Sequence, residues 1–170
     1  MKIIQLKNSV NGFATIDFSA INMDDVLKKG NISLVAGKSF NWNKESGQAI
    51  SDCPFYIGAM PIFATEKLGD ALKNTAVRTA TFDVDGKSYT IVAAPHLIGK
   101  IINISESECR TFRNGKIMNV NKYVFNSNIQ ITPIFTPEEF VMFTFCTLEI
   151  AQQLQMCHFN ELKFVECPIL

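Results

Sequence analysis

The clearest pattern along the chain is a two-residue alternation over 79–92 that turns back on itself at Asp85-Gly86. Asp-Gly between two β-rich runs predicts a two-residue type I′ hairpin. Val84 then faces Lys87, Phe82 faces Tyr89 and Ala80 faces Ile91, a mostly apolar set that belongs against a core. The other face pairs Asp83 with Ser88, Thr81 with Thr90 and Thr79 with Val92, and reads as solvated. Asn114-Gly115 marks a second hairpin, joining 109–113 to 116–120. Shorter runs at 2–6, 13–18, 32–36, 97–104, 123–125, 129–135, 140–145 and 162–165 read as strands. Gly58 and Pro61 interrupt 55–63, which makes it a bent or edge segment.

Three helices complete the pattern. Asn22 caps a short one over 23–29, with Asp24 and Asp25 in its first turn, Lys28 and Lys29 in its last, and Gly30 at the left-handed C′ position. Thr65 reads as the cap of a helix over 65–74, with Leu68, Ala71 and Leu72 on one stripe. Thr147 does the same for a helix running to about Met156, with Ile150, Ala151 and Leu154 inward. Thr136-Pro137-Glu138-Glu139 has the form of a capping box with Pro at N1, but the strand expected at 140–145 leaves room for one turn only. Phe63, Thr65, Leu68 and Leu72 recur as Phe145, Thr147, Ile150 and Leu154, each shifted by 82 residues (145 − 63), so two helix starts share one pattern. Together these elements predict an α+β fold, one domain over 1–170, mainly antiparallel sheet with two to three short helices.

Composition narrows the class. A chain of 170 residues, 47% hydrophobic with 14 Phe, has ample core for one domain and buries about two thirds of its unfolded surface. No run reaches the roughly 18 apolar residues of a membrane span, and residues 1–7 are too interrupted for a signal peptide, so a cytoplasmic protein without membrane partners is expected. Cysteines at 53, 109, 146, 157 and 167 include no Cys-x-x-Cys pair and no zinc spacing with His; reduced, mostly buried thiols are expected, and no metal or cofactor.

Sixteen basic residues balance sixteen acidic ones. The balance is uneven: residues 87–122 hold six Lys/Arg against Glu106 and Glu108, while 137–170 hold five Glu against Lys163. Direct nucleic-acid binding usually demands a clearer basic excess, so none is expected. Residues 37–52 form a polar loop with the only Trp; Trp42 either anchors that loop to the body or contacts a partner.

Reaction chemistry is sparse. There is no Walker loop, Gly-x-Gly-x-x-Gly or His-Glu-x-x-His. His96 with Cys109 or Cys146 is the one conceivable nucleophile pair, and neither Cys has a nucleophile signature around it.

Phe63-Ala-Thr65-Glu-Lys-Leu68 with its helix and hairpin, then Ile134-Phe135, Phe145-Cys-Thr147-Leu-Glu-Ile150 and Leu162-Lys-Phe164, resembles a family of bacterial immunity proteins encoded beside polymorphic or contact-dependent toxins. The likeness covers about 53–165; residues 1–52 match less clearly. Thr65 and Thr147 stand where that family commonly has Ser. The resemblance implies a non-enzymatic protein that binds one cognate toxin C-terminal domain, such as a nuclease, and blocks its active site or substrate access. An acidic patch would steer a basic toxin; the partner-binding candidates are Trp42, Asp83, Asp85, Glu138 and Glu139. The alternatives are a small hydrolase using Cys or a carboxylate, and a non-catalytic ligand-binding or scaffold protein.

Overall fold

A computed structural model describes residues 1–8, 12–43, 45, 48–57, 59–140 and 143–170. The elements run β1 (Ile3–Asn8), β2 (Thr15–Ile16), α1 (Met23–Lys29), a 3₁₀ turn (Ile32–Leu34), β3 (Ser39–Phe40), β4 (Trp42–Asn43), β5 (Phe55–Tyr56), β6 (Met60–Ala64) and α2 (Thr65–Leu68). They continue with β7 (Thr79–Val84), β8 (Lys87–Val92), β9 (His96–Leu97), β10 (Glu108–Thr111), β11 (Ile117–Lys122) and β12 (Ile134–Pro137). A 3₁₀ turn (Glu138–Phe140), β13 (Thr144–Thr147), α3 (Leu148–Gln155) and β14 (Leu162–Cys167) complete the chain. The fold is α+β and mainly antiparallel.

Two five-stranded sheets carry it, in the orders β3-β7-β8-β6-β5 and β14-β1-β13-β12-β9. Removing the outer β3 and β9 leaves one plan twice. In each sheet a strand, a helix and a second strand (β6-α2-β7, β13-α3-β14) flank a middle strand antiparallel to both, β8 or β1. A further antiparallel strand, β5 or β12, lies outside β6 or β13. The recurrence at 82 residues is therefore structural: Phe63 and Phe145 are both fully buried, and Leu68, Leu72, Ile150 and Leu154 all face the core. The first unit draws its middle strand from the next hairpin. The second draws it from the chain's first strand.

One core lies between the sheets. Ile4, Leu6, Cys146 and Ile134 from one sheet meet Ile62, Tyr89, Ile91 and Val84 from the other, with Val26 and Leu154 from the helices. The alternate residues Ile3, Phe145, Phe135 and Cys167 point the opposite way, into a second cluster with Ile101, Val120, Tyr123 and Phe125. Phe145 is its hub, with ring centroids 5.0 Å from Tyr123 and 5.1 Å from Phe125. The sheet containing β1 is thus buried on both faces.

Local chemistry explains most boundaries. The Asn22 side chain accepts from the Asp24 N–H at 3.2 Å, and Gly30 takes φ 62°, so α1 starts and stops as its caps dictate. The 79–92 hairpin has the expected register throughout, with Asp85 and Gly86 both at positive φ. Its second face is not uniformly solvated: Val92 joins the core, and Thr90 is buried where Thr65 turns its hydroxyl onto that face, 2.9 Å from both Ser88 and Thr90 hydroxyls. Thr65 consequently caps nothing. Ala64 occupies the N-cap position, and α2 ends after one turn, where Gly69 and then Leu72 adopt positive φ. Thr147 does cap α3, accepting from the Ile150 N–H at 3.5 Å.

Other expectations are corrected. Residues 32–36 form a 3₁₀ turn instead of a strand, because left-handed Gly30 and Gly37 close both ends. The segment at 55–63 splits into β5 and β6, and β6 lies inside its sheet, between β8 and β5. Of 97–104 only Leu97 and a bridge at Ile102 are extended, 123–125 keeps only a bridge at Phe125, and 13–18 keeps β2 and a bridge at Phe13. The strand expected at 129–135 forms as β12, starting at Ile134. The second hairpin closes through a three-residue loop: the Phe112 N–H donates to the Lys116 carbonyl at 2.8 Å, and the Gly115 N–H to Phe112 at 2.9 Å. Gly115 at φ 80° supplies the left-handed residue that this loop type requires. Gly58, part of the 37–52 loop and positions 141 and 142 of the expected 140–145 strand lie outside the described residues.

Truncating either equivalent phenylalanine, Phe63→Ala or Phe145→Ala, should cost about 3–5 kcal/mol, and Thr147→Ala about 1 kcal/mol through loss of its cap. Urea unfolding measures both; a loss below about 1 kcal/mol at Phe145 contradicts the double-faced burial of its sheet.

Candidate binding surface

All five residues singled out in the sequence are engaged by their own chain. Asp85 Oδ2 accepts the Trp42 N–H at 3.1 Å, and Asp83 Oδ1 accepts the Gly86 N–H at 2.9 Å. These carboxylates pin the hairpin turn and tie the β3–β4 segment to it. The Trp42 ring is half-buried and meets Tyr89 edge-on at 5.6 Å, which is the loop-anchoring arrangement. The structure therefore brings Trp42, Asp83 and Asp85 into one neighbourhood. Glu138 and Glu139 follow β12 in the other sheet; Glu138 accepts the Gly99 N–H at 3.4 Å. Partial desolvation pushes the Glu139 carboxyl above the usual range, offset by the nearby Ile102 and Ile101 amides.

Beside the first group sits an ion cluster that the sequence did not announce. Asp52 accepts Lys87 Nζ at 2.6 Å and has Lys67 Nζ at 3.7 Å. Lys87 lies 5.5 Å over the Tyr89 ring and Lys67 5.5 Å over Phe159, so both cations rest on aromatic faces. The Lys87 hydrogen bond holds the Asp52 carboxyl below its ordinary range, and the same bond raises Lys87. The cluster joins the loop before β5 to the hairpin and to the segment after α3.

The thiols offer no activated nucleophile. Burial pushes all five upward, Cys146 to about 12 and Cys167 to about 11, whereas a reactive thiolate needs the opposite shift. Cys157 Sγ instead donates to the Leu68 carbonyl at 3.6 Å, linking the end of α3 to α2. His96 is held toward its neutral form, first by burial and then by Lys28. Among the described residues no group of three or more His, Cys, Asp or Glu is arranged to hold a metal.

The larger opportunity lies at the β10–β11 hairpin. It reaches the second core chiefly through Val120, with Cys109 and Ile117 packed at its margin. Beneath it runs a groove of about 760 Å³, walled by Ile102, Ile104, Ile117, Met118 and Phe140 and carrying Lys100, Lys116 and Glu139. Met118 on its wall is 54% exposed, and large apolar side chains are also exposed elsewhere on the same stretch of chain, Ile98 at 84% and Phe112 at 52%. Lys100, Arg110, Arg113, Lys116 and Lys122 make no salt bridge with any described residue; the ion pairs that form use Lys2, Lys29, Lys67, Lys73 and Lys87. Of the residues predicted from sequence, only Glu139 lines this groove. The signal that could have found its lysines was the charge imbalance over 87–122, which is open in the sequence between neutralisation inside the fold and a separate basic face.

The chain matches no family model and no curated protein. No helix among the described residues is long and apolar enough to cross a membrane.

Because the folded-state Asp52 pKa is depressed, its ion pairs stabilise above the ordinary carboxylate range, and that contribution fades as pH falls through it. Asp52 is partly exposed, so the effect is at most a fraction of a kcal/mol. Asp52→Asn should lower stability near neutral pH and converge with the wild type in acid; urea midpoints across pH measure this, and a constant difference contradicts it.

Proposed function

We propose that this chain is a binding protein of the immunity type, which holds a cognate toxin domain and covers its active site or substrate path. The observation that carries the reading is the β10–β11 hairpin, which exposes Phe112 and Met118 and whose Lys116 and Met118 line a groove together with Lys100. Apolar side chains rimmed by free charge are the composition of a recognition surface. They stand on a hairpin seated against a rigid, doubly covered sheet, which keeps the surface preorganised.

The polarity differs from the acidic patch implied by the family resemblance. Asp83, Asp85 and Glu138 already serve the chain's own amides, so the hairpin is the more available contact. The reading keeps the cognate toxin as partner and moves the interface to residues 98–122.

The test is co-expression with the C-terminal domain of a secreted protein encoded beside this chain. Growth should be restored, and the purified proteins should form a complex. Replacing Phe112 and Met118 together by Ser should weaken the complex about tenfold or more, since exposed anchors of this kind carry interface energy. A toxin domain that is neither bound nor neutralised overturns the reading.

A further inference from the structure

We propose that the groove beneath the β10–β11 hairpin takes an extended, carboxylate-bearing segment of a partner protein: its acidic groups meet Lys100 and Lys116, and an aliphatic side chain packs on Ile104, Ile117 and Met118. The inference rests on the immunity reading for the partner's identity, and on this structure alone for its chemistry.

Charge complementarity sets the sign. Segment 100–122 carries five cations against Glu106 and Glu108, and none of the five makes a salt bridge with a described residue, Lys100 sensing Glu139 across the groove only as a nearby charge. The polar side chains lining the groove are otherwise committed within the chain. Asn126 Nδ2 donates to the Lys100 carbonyl at 2.9 Å, and Asn103 Oδ1 accepts the Ser105 hydroxyl at 2.8 Å. The lysines are what remains to fix a ligand's orientation. Glu139 is the one carboxylate on the lining, and it opposes an acidic ligand there.

Shape and side-chain type separate the macromolecular classes. Single-stranded nucleic acid binds on aromatic stacking platforms, and the walls here are mostly aliphatic, with Phe140 half-buried. An anionic bilayer presents a broad surface, whereas the feature to be filled is a concavity of about 760 Å³. An extended peptide satisfies both the groove and its lysines.

Fluorescence anisotropy tests this with a labelled peptide of Glu and Leu, a matched peptide of Lys and Leu, a single-stranded RNA, and phosphatidylserine vesicles. The Glu/Leu peptide should bind, more weakly as salt rises. Its affinity should fall at least tenfold in Lys100→Glu/Lys116→Glu, fall less in Lys100→Ser/Lys116→Ser, and rise about threefold in Glu139→Gln. Circular dichroism checks that each variant is folded. Absence of peptide binding, preference for the Lys/Leu peptide, RNA or vesicles, or indifference to both lysine variants overturns the inference. If the toxin domain binds but ignores the lysine variants, the groove chemistry is wrong while the immunity reading stands. If the acidic peptide binds as described and the toxin domain does not, the immunity reading falls and the groove chemistry survives.

Discussion

The fold depends on β1 being held on both edges and both faces at once. It pairs with β13 along Ile3–Leu6 and with β14 along its whole length, while Ile4 and Leu6 enter one core and Ile3 the other. Its partners lie more than 130 residues away, so none of this can form until the C-terminal unit is present. Closing such a contact is slow in entropy terms but not prohibitive, because the cost grows only with the logarithm of the loop. What offsets it is burial on two sides of one strand. Gln5 marks the tightness: it is 2% exposed, and its Nε2 has no partner among the described residues. A buried unsatisfied amide is tolerated where the surrounding packing over-determines the position.

The same constraint makes the two units comparable and exposes where they diverge. The residue equivalent to Gly69 is Ala151 (69 + 82). Alanine is the best helix former and glycine among the worst, by about 1 kcal/mol. Where Ala151 stands, α3 runs from Leu148 to Gln155; where Gly69 stands, the backbone turns out after one turn at φ 55°. The two threonines diverge with it. Thr147 keeps its hydroxyl for the helix N-terminus, whereas Thr65 gives its own to Ser88 and Thr90 across the sheet. One sequence pattern thus yields two local outcomes, decided by what lies opposite.

That difference explains which parts of the structure were legible in the sequence. Features closed within a few residues could be read: the Asn22 and Gly30 caps, the Thr147 cap and every pair in the 79–92 hairpin. Features decided by distant partners could not. Nothing near Thr65 announces Thr90, and nothing in residues 2–6 says that their strand completes a unit ending at Cys167. The second hairpin was half legible: Asn114-Gly115 located it, but the loop took three residues because Asn114 stayed in negative φ while Gly115 alone became left-handed. The site followed the same rule. Asp85 looked available because its partner, the Trp42 amide, lies 43 residues away, whereas the bond from the Gly86 amide to Asp83 closes within the turn itself.

Formal neutrality is the last property that the structure reinterprets. A chain with equal charges of both signs suggests no electrostatic preference, yet neutrality is a sum, and recognition depends on which charges are free. Ion pairing neutralises Asp25, Asp52, Asp70 and Glu166, while Asp17, Asp83, Asp85 and Glu138 keep their charge but hold it against the chain's own amides. The cations of 100–122 escape that pairing, because the hairpin leaves the main sheets and carries only Glu106 and Glu108 near them in sequence. Within about a Debye length, roughly 8–10 Å at ordinary salt, an approaching partner senses that local excess and not the total. A balanced chain can therefore present a positive face, and the element that carries it also presents its exposed Phe112 and Met118. In the proposed complex, charge there would set the encounter and the apolar groove how long it lasts.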